Sequence, residues 1–180
     1  MLHRRAARVL DGSPLPRGGK AAVLTGQAGP GMAACDALEA AGLEVPPFSP
    51  ATRDEVERLL PPLALRTNPV DMGPAWYDSE AIAGMMKAVL EDGHIDAVLL
   101  LMMFASANRA AVAGMTPLLR SWAQRKPVVS CLLAPPGIWD DAVQDLEECG
   151  ALVNFPTPER AAQTMVNLWR YQKMYQGPNP

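Results

Sequence analysis

Side chains that carry chemistry are scarce in this sequence. Only two histidines, His3 and His94, and three cysteines, Cys35, Cys131 and Cys149, occur in 180 residues. Neither histidine is placed as a catalytic base. His3 falls in a linker-like start, and His94 falls between a helix signal and a strand signal, at the sheet edge opposite a glycine-rich loop around residues 26–31. No Cys/His group has metal-ligand spacing, and no G-x-S-x-G elbow occurs. An odd cysteine count, with the thiols in predicted helix and strand positions, argues for buried thiols in a reducing compartment rather than bridges. Charge of one sign is also missing: the net charge is -3, and no basic cluster carries interleaved aromatics, so nucleic acid is not an expected partner. No apolar run reaches the roughly 18 residues of a membrane span and no signal-peptide pattern opens the chain, so a cytoplasmic protein with no membrane partner is expected.

What is present suffices for a core. With 49% apolar and 19% charged residues, the chain suits one domain. Leu2 to Leu10 could form a short basic helix, and Asp11 to Gly19 is rich in Pro and Gly. The expected division is therefore a linker-like segment over residues 1–18 and a domain over 19–180, with the start reading like the entry into one domain of something larger.

The most informative stretch runs from Lys20 to Asp36. Ala21 to Leu24 is apolar without alternation, as in a strand covered on both faces of a parallel sheet. Gly26, Gly29 and Gly31 allow a sharp turn, and Pro30 suits the first helical position. A helix start of this kind presents free N–H groups and a positive dipole end, which makes it an anion site; a tight turn with no ligand is the competing reading. The loop is not the dinucleotide fingerprint, because Ala28 replaces the second glycine and Val45 is followed by Pro46-Pro47 rather than an acid. Nor is it a P-loop, since Gly31-Met32-Ala33 stands where Gly-Lys-Ser/Thr is needed.

Further along, Gly42 fits a helix C-cap, and Leu43-Glu44-Val45 can form only a short second strand before Pro46. Thr52-Arg53-Asp54-Glu55 reads as a capping box opening a helix that Pro61-Pro62 ends. Residues 61–77 show no period, and Asn68-Pro69-Val70-Asp71 reads either as a functional loop or as a structural Asx-type turn. Ile82, Met85, Met86, Val89 and Leu90 give one helical face over Asp78 to Glu91. Ile95 to Met103 is the strongest strand, and its end delivers Phe104, Ala105, Ser106 and Asn108 to the edge that holds the glycine loop. Pro117 should break a helix, with Thr116 capping a new one. Pro127 to Leu133 is a strand, Trp139 to Cys149 a helix ended by Gly150, Ala151 to Asn154 a last strand, and Thr157-Pro158-Glu159 the start of a final helix to about Met174. The alternation predicts a three-layer α/β, flavodoxin-like domain with a parallel sheet of about five strands. A response-regulator site is excluded, because Thr25-Gly26 and Met102-Met103 occupy the acidic positions. Three loops thus converge, and the candidate phosphate- or anion-binding residues are Gly26, Gln27, Ala28, Gly29, Pro30, Gly31, Met32, Asn68, Pro69, Asp71, Phe104, Ala105, Ser106 and Asn108.

Three stretches together carry a resemblance: Gly19 to Thr25 with Gly29-Pro30-Gly31 and Asp36; Leu60-Pro61-Pro62 leading to Asn68-Pro69-Val70-Asp71; and Pro156-Thr157-Pro158-Glu159-Arg160-Ala161-Ala162. The chain resembles the last flavodoxin-like (CoA-ligase) domain of NDP-forming acyl-CoA synthetases, relatives of succinyl-CoA synthetase. It departs from the family pattern at Gly26 and Ala28, and Met103 to Ser106 lacks a Gly-Gly pair. The resemblance implies an acid-thiol ligase in which a phosphorylated histidine of another domain moves between sites, and in which the present domain helps cradle that loop. It implies CoA-binding, phosphohistidine and ATP-grasp domains or subunits as partners, with CoA and ATP/ADP plus Mg used by the complete enzyme and no cofactor in this domain. Self-association stays open. The alternative is a stand-alone small-anion-binding or protein-interaction module without catalysis.

Overall fold

The computed structural model describes residues 12–175; the basic helix expected over residues 2–10 lies outside them. Strand β1 (Ala21–Thr25) is buried at every residue, as its unbroken apolar run requires. The order along the chain is then α1 (Ala28–Ala40), α2 (Pro50–Leu59), β2 (Leu65–Arg66), β3 (Val70–Asp71), a 3-10 turn (Gly73–Tyr77), α3 (Ser79–Glu91), β4 (Ala97–Met103), a 3-10 turn (Ser106–Asn108), α4 (Ala111–Trp122), β5 (Val128–Leu133), α5 (Asp140–Glu148), β6 (Val153–Asn154) and α6 (Pro158–Tyr175). The sheet order is β2-β3-β1-β4-β5-β6. All pairings are parallel except β2 with β3. Alternate residues of β1, β4 and β5 build two cores. Ala22, Leu24, Val98, Leu100 and Met102 pack with α2 to α5, while Ala21, Val23, Leu99 and Leu101 pack with α1 and α6. The three-layer flavodoxin-like expectation holds, with six strands rather than about five, because β2 adds a short antiparallel edge.

The second strand is not where the periodicity placed it. Leu43 to Val45 contributes only a parallel bridge between Glu44 and Lys20. The place beside the upper half of β1 is taken instead by β3, with Leu24 opposite Val70 and Thr25 opposite Asp71. The gap between them is filled by a side chain. Asn68 Oδ1 accepts from the Val23 N–H at 3.0 Å, and Asn68 Nδ2 donates to Ala21 O at 2.8 Å and Pro46 O at 2.9 Å. A primary amide offers the same donor and acceptor as a peptide group, so one asparagine can continue a ladder. The supposedly structureless segment 61–77 therefore supplies part of the sheet.

Two helix readings need correction. Helix α2 begins at Pro50, with Ser49 as its cap accepting from the Thr52 N–H at 3.4 Å. The Thr52–Glu55 capping box does not form, because Ser49-Pro50 is the stronger start and Glu55 pairs with Arg58 at 2.6 Å. Helix α4 continues through Pro117. The carbonyl that loses its partner belongs to exposed Ala113, where water can serve it, and Thr116 does not cap but donates to Val112 O at 3.0 Å. The glycine stops at Gly42 and Gly150 hold, each with positive φ and paired bonds back into the last turn, Gly42 N–H to Glu39 O and Leu43 N–H to Leu38 O, Gly150 N–H to Glu147 O and Ala151 N–H to Leu146 O. Within the stretch read as a linker, Pro16 is buried and Leu15 packs on the α1–α6 core.

Asn68→Ala removes the surrogate for a strand beside Val23, stranding a buried N–H and C=O. The expected loss is about 3 kcal/mol in urea unfolding, and a loss below about 1 kcal/mol would mean that β1 does not depend on this amide. A second expectation concerns Asp92, 3% exposed, whose oxygens accept from the Ser49 and His94 N–H groups at 2.9 Å each. Burial pushes this carboxyl up, but the two amides and the Thr52 and Ser49 hydroxyls outweigh it and hold the pKa below the ordinary 3.8. A carboxylate with a depressed folded pKa stabilises fully above its unfolded value and loses that contribution as the pH falls through the folded one. Asp92→Asn should therefore lower the thermal midpoint at neutral pH and flatten its decline below pH 3.8, as read by melts across an acid series.

Candidate functional site

The C-terminal ends of β1, β3 and β4 bring three of the expected segments to one edge. In the first, Thr25 fixes the turn: its Oγ1 accepts from the Gln27 N–H at 3.1 Å and donates to Gln27 O at 2.8 Å. Helix α1 begins at Ala28, two positions earlier than Pro30 suggested, with Gln27 extended at the cap (φ -143, ψ 127) and no side-chain cap bond. Pro30 is third in the helix, and the first backbone bond runs from Gly31 N–H to Gln27 O at 3.4 Å. The amides of Ala28 and Gly29 therefore precede the ladder, and Pro30 has none to offer. No acidic side chain lies in this first turn, so nothing of the helix's own neutralises its positive end.

Two of the three glycines are required for reasons other than turning, since none of the three has positive φ. A Cβ at Gly26 would overlap the Trp76 ring, and one at Gly31 would lie 2.6 Å from Thr25 Cγ2. Gly26 thus admits an indole and Gly31 lets α1 approach β1, whereas a Cβ at Gly29 meets nothing within 4 Å. Gly29 faces open space above the free amides. Trp76 was not singled out from the sequence, and nothing local could have done so, because its partner is fifty positions away.

The second segment divides. Asn68 spends both ends of its amide on β1 and Pro46, so its side chain does not reach the edge. Asp71 does, opposite Thr25 in register, and its Oδ1 accepts from the Gly73 N–H at 3.1 Å; Pro69 is half-buried below it. In the third segment Asn108 is fully buried and acts inward: Oδ1 accepts from the Ala105 N–H at 2.8 Å and Nδ2 donates to Met103 O at 3.0 Å. The Phe104 ring meets Trp139 edge to face at 5.8 Å, and Trp139 Nε1 donates to Arg109 O at 3.0 Å. Ser106 is left exposed at the loop tip. The surroundings are apolar, for Met32, Tyr77 and Met103 are 51%, 55% and 44% exposed. Burial, then neighbouring Glu39 and Asp36, push the Cys35 thiol up to about 11; burial, then Glu159, do the same for Cys131. Neither is a nucleophile at neutral pH. The edge is an open platform on which the Ala28 and Gly29 amides stand outside the helical ladder and Met32, Tyr77 and Met103 are exposed.

No family model matches the chain. It is similar to the alpha subunit of an ADP-forming acetate–CoA ligase II from Pyrococcus furiosus, 28% identical over 169 residues, covering 89% of this chain and 35% of that protein. It is also similar to an ADP-forming acetate–CoA ligase I from Archaeoglobus fulgidus, 28% identical over 165 residues, 88% of this chain and 22% of the relative. Among solved structures, a Pyrococcus horikoshii OT3 protein superposes with a TM-score of 0.79 at 28% identity, over 92% of this chain and 38% of its own. Acetyl-coenzyme A synthetase 1 of Ca. Korarchaeum cryptofilum, in complex with phosphate and ADP, superposes at 0.81 with 22% identity, over 98% of this chain and 39% of its own; that likeness bears on the fold. The chain thus spans about a third or less of the curated relatives it matches. The names of the two relatives agree with the resemblance read from the glycine loop, the Asn-Pro-Val-Asp segment and the final helix.

The glycine roles separate under single substitutions. Gly31→Ala should cost about 1–3 kcal/mol by forcing α1 off Thr25, whereas Gly29→Ala, in open helical space, should be neutral or stabilising by up to about 1 kcal/mol. Chemical denaturation of the two variants checks this, and equal effects would contradict the packing account.

Proposed function

We infer that this chain, a flavodoxin-like domain of the NDP-forming acyl-CoA synthetase family, cradles the phosphorylated histidine loop of the complete synthetase while acyl phosphate and acyl-CoA form. The observation that carries the reading is the start of α1, where the Ala28 and Gly29 amides precede the helical ladder with no side chain capping them. A phosphoryl group there gains two N–H donors and the dipole, in the low-dielectric surround that Met32, Tyr77 and Met103 would create once a partner covers them. When the ring is protonated, the second nitrogen of a phosphorylated imidazole carries an N–H. Asp71, beside Thr25, offers the carboxylate to accept it. Both curated relatives are ADP-forming ligases, which favours this reading over a stand-alone anion-binding module.

In this reading the chain acts by binding and orienting, and the chemistry of the acyl phosphate and thioester belongs to the other domains. In the same reading CoA, ATP/ADP and Mg are used by the complete enzyme, with none of them held by this domain. The carboxylic acid that is activated is set by the other domains too.

The test uses inorganic phosphate and the amide resonances of this chain. Phosphate should shift Ala28 and Gly29 foremost. Gly29→Asp places a carboxylate over the same amides, where it favours the helix but competes with the anion. The expected outcome is a melting point equal to or above the parent's together with phosphate affinity at this loop reduced about fivefold or more. Unchanged phosphate shifts at Ala28 in Gly29→Asp would place the anion elsewhere.

A further inference from the structure

The opposite end of the sheet holds a cleft of about 230 Å³ between the entry to the domain, the end of α3 and the turn from α4 to β5. Its walls carry three cations, Arg17, Arg125 and Lys126, and three carboxylates, Glu91, Asp92 and Asp96. None of the ion pairs among the described residues joins the two sets, and Asp92 and Asp96 act on Lys126 only from beyond contact. The acids are engaged elsewhere. Asp92 accepts from the Ser49 and His94 amides, Asp96 Oδ2 accepts from the Lys20 N–H at 3.0 Å, and Glu91 lies 4.0 Å from Lys87.

Lys126 is half-buried and donates only to carbonyl oxygens, Asp92 O at 2.7 Å and Val89 O at 3.3 Å. Burial lowers its pKa to about 8, against the pull of Asp92 and Asp96 and with Arg17 pushing the same way. The Arg125 guanidinium sits 4.1 Å over the Trp122 ring, with Lys126 Nζ at 5.8 Å from the same ring. Three cations therefore converge on a concave space without a counter-ion in contact, which is the arrangement that gains most from an anion.

We propose that this cleft binds a small oxyanion of the phosphate class, held by Arg17, Arg125 and Lys126. The size, below the roughly 300 to 1,000 Å³ of pockets for organic ligands, favours a small ion over a nucleotide, and a bulkier polyanion would be pressed against Asp92 and Asp96. The cleft lies at the strand starts and the α1 platform at the strand ends, so the two sites are separate. The assignment does not depend on the synthetase reading.

The experiment uses the full chain carrying Gly29→Asp, so that the α1 site is impaired, and titrates inorganic phosphate at constant ionic strength. Trp122 reports: an anion that draws Arg125 off the indole changes its emission, and Trp122→Phe should abolish that change. Calorimetry on the same samples supplies a second readout. Arg17→Gln, at an exposed side chain, and Arg125→Gln should each weaken phosphate at least about tenfold, with folding verified by circular dichroism. ADP should bind this cleft more weakly than phosphate. The proposal fails if phosphate gives no saturable response, if neither arginine variant weakens it, or if ADP binds as tightly as phosphate.

Discussion

Strand β1 is buried along its whole length, so each of its peptide groups must find a partner inside the protein. On one side β4 satisfies it in unbroken register. On the other side no single segment does: Glu44 bridges the start, the Asn68 amide serves the middle, and Val70–Asp71 pairs with the end. The consequence reaches the functional edge. Fixing Asn68 and Val70 against β1 determines where Asp71 emerges and where the following turn carries Trp76, and Trp76 then closes over Gly26. Met72 N–H donating to Thr25 O at 2.9 Å ties the two segments just below the platform.

The far side of the sheet uses the same device. Asn154 Oδ1 accepts from the Leu132 N–H at 2.8 Å and from the Ser130 hydroxyl at 3.1 Å, extending β5 beyond the two residues of β6. Its own N–H donates to Glu147 Oε1 at 2.9 Å, so part of the outward edge is closed by a side chain rather than left to template another strand. Short terminal strands with asparagine extensions give a sheet that is satisfied internally at its middle and carries little free backbone at its margins.

Electrostatically the two ends of the sheet differ. At the strand ends the field comes from backbone: unpaired amides at a helix start, with no acidic side chain in the first turn and an apolar surround. At the strand starts it comes from side chains, three cations in a cleft with carboxylates turned to other partners. The first arrangement leaves a bound anion open to solvent on one side, where a covering polypeptide would supply the missing walls. The second has walls.

Local pattern and period, which the sequence carries by itself, determined the framework. The unbroken apolar runs marked β1, β4 and β5 as central parallel strands, the amphipathic face marked α3, Gly42 and Gly150 marked helix ends, and Thr157-Pro158 marked the last helix; together these determined a three-layer α/β fold and put the glycine loop and the Phe104 to Asn108 loop on one edge. They did not decide between Ser49-Pro50 and Thr52-Glu55, which are both local start signals, or show that Pro117 would be tolerated, which depends on the helix face that meets water. Nor did they show the tasks of Asn68 and Asn108, since an asparagine before a turn looks the same whether its amide points out to a ligand or in to a strand. Only the tertiary structure decided that Gly26 and Gly31 are glycines for packing while Gly29 stands open. The physical reason is that these roles are set by atoms far apart in sequence, Trp76 on Gly26 and Asn68 on Val23, and steric fit and hydrogen-bond satisfaction between distant segments leave no trace in local periodicity.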